Sequence, residues 1–99
     1  MNAAAPAAVA AVRRDGDALV FEGALVRASC AALWSQLKPL LAGARRIELA
    51  AVNAIDSAGL ALLAEVAGRD GIGAVAGNPP GLSELRAAYR LDAELDYAG

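Results

Sequence analysis

Apolar and polar residues alternate with a period of two near the start of the chain. Residues 9–14 read as a first strand and residues 18–22, Ala-Leu-Val-Phe-Glu, as a second. In the second, Leu19 and Phe21 share one face and Val20 takes the other. Asp15-Gly16 between them is a hairpin signal, because Gly accepts the positive φ that such a turn needs. The second strand can run on through Gly23 toward Val26. The period then changes. Leu33, Trp34, Leu37, Leu40 and Leu41 recur at i, i+1, i+4, i+7 and i+8, the stripe of one helix face. Ser29 stands where a hydroxyl can cap the start of that helix. Pro39 lies inside the stripe. It removes one hydrogen bond and crowds the carbonyl of Ser35, so a kink or an early end is expected there, and Gly43 stops the helix.

Alternation returns at residues 45–52, with Ile47, Leu49 and Ala51 facing one way and Glu48 the other. Residues 53–56 read as a loop. Residues 57–68 read as a helix with little polar surface: Leu60, Leu62, Leu63, Val66 and several alanines, with Glu65 the sole charge before Arg69. A helix that is apolar nearly all round is buried on more than one side or faces a partner. Residues 71–77 form a small-residue strand, and Asn78-Pro79-Pro80-Gly81 a loop. A last helix starts at Gly81 or Ser83 and groups Leu82, Leu85, Ala88 and Tyr89 on one face, with Tyr89 in the core and its hydroxyl near the surface. Residues 91–99 are a short tail carrying Leu95 and Tyr97. The order ββαβαβα predicts an α/β fold: a mixed sheet with an antiparallel N-terminal hairpin and otherwise largely parallel strands, packed against helices.

Composition narrows what such a fold can do. The chain has 99 residues, the size of one domain, with residues 1–8 expected to be a disordered alanine-rich lead. Its hydrophobic fraction of 58% exceeds the ~45–50% of average soluble domains. Alanine supplies much of the excess, so the core must come from Leu, Val and Ile. Nine basic and eleven acidic residues leave a net charge of -2, with no basic block beyond Arg13-Arg14 and Arg45-Arg46, which disfavours nucleic acid as a partner. There is one cysteine, Cys30, and no histidine. That excludes an internal disulfide, makes a zinc site untenable and fits a reducing, cytoplasmic setting. Cys30 itself lacks a base and reads as a small packed residue. No run of about 20 strongly apolar residues exists, so direct insertion into a membrane is not expected. Gly71, Gly73 and Gly77 are not followed by the Lys-Ser/Thr of a phosphate loop. Glu48 and Asp56 lie on different elements and do not make an acid–base pair. No cofactor is implied.

The segment from Val52 to Gly59 is where chemistry concentrates. A strand ends, a helix begins with Asp56 or Ser57 as its cap, and sites in open α/β sheets gather at the carboxyl ends of strands. The helix start offers unpaired N–H groups and the positive end of its dipole. A phosphate on Ser57 would be electrostatically acceptable there. On residue chemistry alone the segment is a helix cap first and a functional hydroxyl second. Trp34, by periodicity alone, is a core residue first and an interface residue second.

The run Ile55-Asp56-Ser57-Ala58-Gly59-Leu60-Ala61-Leu62-Leu63, after the strand Ile47-Glu48-Leu49, resembles the signature of STAS domains, the anti-sigma-factor-antagonist type modules: Asp, Ser or Thr, a small residue, Gly and Leu at a helix start. Together with Leu33-Trp34 and the ending Leu85-Arg86-Ala87-Ala88-Tyr89-Arg90-Leu91, it is similar to the MlaB-like STAS family. That resemblance implies a non-catalytic, cytoplasmic subunit peripheral to the inner membrane. Such a subunit binds and supports the MlaF-like ATPase of an ABC permease complex that moves phospholipids to maintain outer-membrane lipid asymmetry. It implies partner-binding roles for Trp34, Asp56, Ser57, Ala58, Gly59 and Leu60. The alternative within the superfamily is an anti-sigma factor antagonist regulated by phosphorylation of Ser57. The second hydroxyl common in that signature is Ala58 here, which weakens the alternative. An enzyme or a lipid carrier, the reading from a different class, lacks both a nucleophile–base pair and room for a large cavity.

Overall fold

The computed structural model describes residues 10–68 and 72–90. Strand β1 (Ala10–Asp15) and strand β2 (Ala18–Leu25) form the expected hairpin, turning at Gly16 with φ 61°. Helix α1 (Arg27–Leu37) follows, then a 3-10 turn (Lys38–Leu40) with Pro39 as its second residue. Strand β3 (Arg46–Ile55), helix α2 (Ser57–Ala67), strand β4 (Ala74–Ala76) and helix α3 (Leu82–Tyr89) complete the described chain. The sheet order is β1-β2-β3-β4, antiparallel between the first two strands and parallel elsewhere. This is the mixed α/β architecture that the alternation of strand and helix patterns predicts. Both crossovers, β2-α1-β3 and β3-α2-β4, step the same way across the sheet, so crossovers of one hand bring α1 and α2 side by side.

The core lies between these helices and the sheet. Leu19, Phe21, Ile47 and Leu49 from the strands meet Leu33 and Leu37 of α1 and Leu60, Leu63 and Val66 of α2, all nearly or fully buried. The period-two reading of β2 holds: Leu19 and Phe21 are buried and Val20 is half-buried. At the hairpin end, the Arg14 guanidinium donates to the carbonyls of Leu40 (2.9 Å), Ala42 (2.8 Å) and Gly16 (2.7 Å). One side chain thereby satisfies carbonyls that the end of a helix leaves unpaired. The Gln36 side chain accepts from the Val12 N–H at 3.2 Å, which ties α1 to the outer strand β1.

Several expectations are corrected. Ser29 does not cap α1; the cap position is Val26, and Ser29 is buried in the first turn with its N–H on the Val26 carbonyl at 2.8 Å. Residues 53–55 are not loop but the end of β3. Ala51 is exposed rather than inward. The reason is irregular pairing: Val20 opposes Glu48 but Glu22 opposes Ala51, and Gly23 opposes Val52 but Ala24 opposes Ala54. Each shift inserts an extra residue into β3 and flips its facing, so the inward set runs Ile47, Leu49, then Val52. Strand β4 is shorter than the expected 71–77. Tyr89 is not core; it is 49% exposed, and Ala88 is exposed as well. Only Leu82 and Leu85 of α3 pack on the core. The expected lead 1–8, the start of the first strand at Val9, Arg69, Gly71 and the tail 91–99 lie outside the described residues.

Candidate functional site

Asp56 organises the junction that the sequence singles out. It is the N-cap of α2, in extended backbone, and its Oδ1 accepts the Gly59 N–H at 2.9 Å. Its Oδ2 accepts the Arg27 N–H at 3.0 Å, at the first residue of α1. The cap residue of α1, Val26, gives no side-chain hydrogen bond. One carboxylate therefore caps two helices, its own from within and its neighbour from across the fold. Its own N–H donates to the Leu25 carbonyl at 3.2 Å, fixing the junction to the end of β2. The N–H groups of Gly59 and then Arg27 hold the Asp56 carboxyl below its ordinary value, helped by the Ala58 N–H and the Arg27 charge and opposed by partial burial.

Gly59 is buried under this junction. A Cβ there would meet the Leu25 carbonyl oxygen at 1.9 Å and its carbon at 2.7 Å. Helix α2 approaches β2 backbone to backbone at this point, and only glycine allows it. Leu60 is 2% exposed and belongs to the core. The structure thus places Gly59 and Leu60 beneath the surface, where they set its shape. Ser57, at the first residue of α2, is exposed, and Ala58 is half-buried beside it.

Two hollows flank α2. The first, about 280 Å³, is walled by Arg27 of α1, by Ser57, Ala58, Leu60, Ala61 and Ala64 of α2, and by Tyr89 at the end of α3. The second, about 380 Å³, lies between α1 and α2 and is lined by Cys30, Ala31 and Trp34 facing Ala61, Leu62 and Glu65. Ala61 lines both and is the low saddle between them. Trp34 is half-buried, with its ring against the core edge on one side and the second hollow on the other. The Cys30 thiol sits 3.4 Å from the Val26 carbonyl, and burial, then the Asp56 charge, push its pKa up. That is the opposite of a thiolate poised for reaction. Among the described residues no group of three His, Cys, Asp or Glu side chains could hold a metal ion, and no helix is long and apolar enough to cross a membrane.

The sequence profile of the family described as "Mlab, STAS domain" matches residues 9–96. The chain belongs to the STAS domain family. Its resemblance to MlaB rests on this match, on the Asp56-Ser57-Ala58-Gly59-Leu60 start of α2 and on the mixed sheet beneath it. No curated protein matches the chain. STAS domain proteins are in general non-catalytic modules.

In this STAS domain the structure brings Trp34, Ser57 and Ala58 to one side of the molecule, around the paired starts and first turns of α1 and α2. Their neighbours on that side are Arg27, Ala31, Ala61, Leu62 and Glu65, none of which the sequence motif marks as a site residue. A signal for them exists. Arg27, Ala31 and Trp34 recur at i, i+4 and i+7, and Ser57, Ala61 and Glu65 at i, i+4 and i+8. These are helix-face spacings; the first leads through charged and small residues to Trp34, and together they include all of these neighbours but Leu62.

Proposed function

We propose that this STAS domain is a non-catalytic subunit of an ABC phospholipid transporter that maintains outer-membrane lipid asymmetry, and that it binds and supports the transporter's cytoplasmic ATPase. The observation that carries the reading is the side formed by α1 and α2. There the exposed Ser57, the half-buried Ala58 and Trp34, and the saddle at Ala61 frame two shallow hollows with low walls. A surface of small side chains around an aromatic anchor suits close docking of another protein. The MlaB character of the matched family supports the choice of partner. By binding the ATPase only in its assembled arrangement, the subunit raises the population of that state. Hollows of about 280 and 380 Å³ are small beside the acyl chains of a phospholipid, which favours a docking role over a carrier role.

Ser57→Arg tests this reading. The side chain is exposed, so the domain is expected to keep its circular dichroism spectrum and melting temperature. Recovery of the ATPase on the tagged domain should fall by about tenfold or more, as expected for a bulky charge at the centre of an interface. Undiminished recovery with a folded variant would remove Ser57 from the contact. The alternative, an anti-sigma factor antagonist switched by phosphorylation of Ser57, is favoured by one observation: Ser57 is exposed at a helix start, in a hollow that Arg27 also lines.

A further inference from the structure

The ion pairs of the described residues join Arg13 to Glu22 and join Arg46 to Asp17 and Glu48. Arg27 and Glu65 are exposed, lie on the α1–α2 side and take part in none of these pairs. They stand at opposite ends of it. Arg27 opens α1 at the Asp56 junction, in the first hollow. Glu65 lies two turns along α2, about 12 Å from Ser57 along the axis, in the second. Because Asp56 caps both helices, α1 and α2 start side by side; its carboxylate offsets their positive dipole ends, and the positive charge at that end is the exposed Arg27 guanidinium. The far end is negative through Glu65. Between the two, the second hollow is walled by Cys30, Ala31, Trp34, Ala61 and Leu62 and is almost wholly apolar.

We propose that the partner segment docked on this side is itself polarised: it presents a carboxylate to Arg27, an apolar side chain to the hollow beside Trp34, and a basic group to Glu65. The inference rests on the ATPase-docking reading and goes beyond it by stating the chemistry the ATPase surface must carry. The two charges are rim charges, open to water on the free domain. They act mainly by steering encounter and fixing the direction in which the segment lies, with their effect on rate strongest at low salt. The apolar hollow supplies the contact that holds the complex once formed.

The test is association kinetics between the purified full-length domain and the recombinant ABC ATPase subunit of the same organism's phospholipid transporter, at low and at high salt. Arg27→Gln and Glu65→Lys should each slow association about fivefold to tenfold at low salt, and the difference should shrink toward zero near 1 M salt, where screening acts over about 3 Å. Arg27→Gln is preferred to Arg27→Glu, because a carboxylate there would face Asp56. The Arg27 N–H that binds Asp56 is backbone and survives the change. Association at the wild-type rate or faster in both variants would overturn the inference. If Ser57→Arg still abolishes binding in that case, the docking reading stands without it. If Ser57→Arg also binds like the wild type, the docking reading itself fails, and the inference with it.

Discussion

Replacing Gly59 by alanine is expected to cost the domain more stability than any other single methyl group added to it. The reason is the nature of the obstacle. The new Cβ would lie 1.9 Å from the Leu25 carbonyl oxygen and 2.7 Å from its carbon. Both atoms are backbone of β2, so no side chain can rotate out of the way. Either α2 lifts from the sheet or the end of β2 moves. Both responses disturb the Asp56 N–H contact to the same Leu25 carbonyl and the packing of Leu60 and Leu63. Overpacking of a core costs about 1–3 kcal/mol and sometimes more, and a backbone obstacle places this case at the upper end. For a domain of this size that corresponds to a fall in melting temperature of about 10 °C or more. The helix propensity of alanine works in the other direction by about 1 kcal/mol, too little to offset the clash. Thermal melts of Gly59→Ala decide it. A melting temperature equal to or above that of the wild type would show that α2 does not approach β2 this closely.

Asp56→Ala is expected to have the second largest effect, and a pH signature goes with it. The substitution removes the Gly59 cap, worth about 1 kcal/mol in typical helices. It also removes the acceptor of the Arg27 N–H of a second helix; that bond is exposed to water, so its loss adds about 0.5 kcal/mol. Asp56→Asn should fall between. Its single acceptor oxygen can serve Gly59 or Arg27, while its amide nitrogen can accept from neither. The pH dependence has a definite sign. Folding lowers the pKa of this carboxyl, so the folded state holds its charged form more tightly than the unfolded chain does. The contribution is complete above the unfolded value, near 3.8, and is lost as pH falls through the lower folded value. Denaturant unfolding of the wild type and Asp56→Ala at neutral pH and near pH 3 should therefore show a gap that is wide at neutral pH and narrower in acid. A gap independent of pH would mean that charge on Asp56 contributes nothing to the two caps.

Asp56 also explains which parts of the fold are legible from sequence. The hairpin, the alternation of Leu19, Val20 and Phe21, the early end of α1 at Pro39 and the start of α2 at Asp56-Ser57 are all set by neighbours in the chain, and local pattern finds them. The start of α1 is different. Local rules demand a capping side chain and point to Ser29. The fold begins the helix at Arg27, because a carboxylate 29 positions away satisfies its first N–H. The inward residues of β3 are hidden for a related reason. The first of two extra residues in its pairing with β2, between Glu48 and Ala51, moves the inward position from Ala51 to Val52, and a strict period of two cannot register such a shift. Tyr89 satisfies the helical stripe of α3, yet that helix is packed only through its first turns, at Leu82 and Leu85.

The candidate site divides along the same line. Asp56, Ser57 and Gly59 stand in one short motif, and each has a role that local chemistry suggests: cap, exposed hydroxyl, close approach. That Trp34 joins their side of the molecule depends on the pairing of α1 with α2, which periodicity does not give. Ala61 is the plainest case. As an alanine in an alanine-rich helix it carries no sequence signal, and its position between two hollows is visible only once α1 and α3 are in place.

The central claim is that this STAS domain works by holding an ABC ATPase through the α1–α2 side. The most direct measurement is native co-purification of the tagged full-length domain, wild type and Ser57→Arg in parallel, with the bound proteins identified and the intact mass of the domain recorded. The account predicts an ABC ATPase recovered with the wild type in fixed proportion, its loss with the folded Ser57→Arg variant, and no phosphate on the wild-type domain. A protein kinase recovered in place of the ATPase, with phosphate on Ser57, would contradict it.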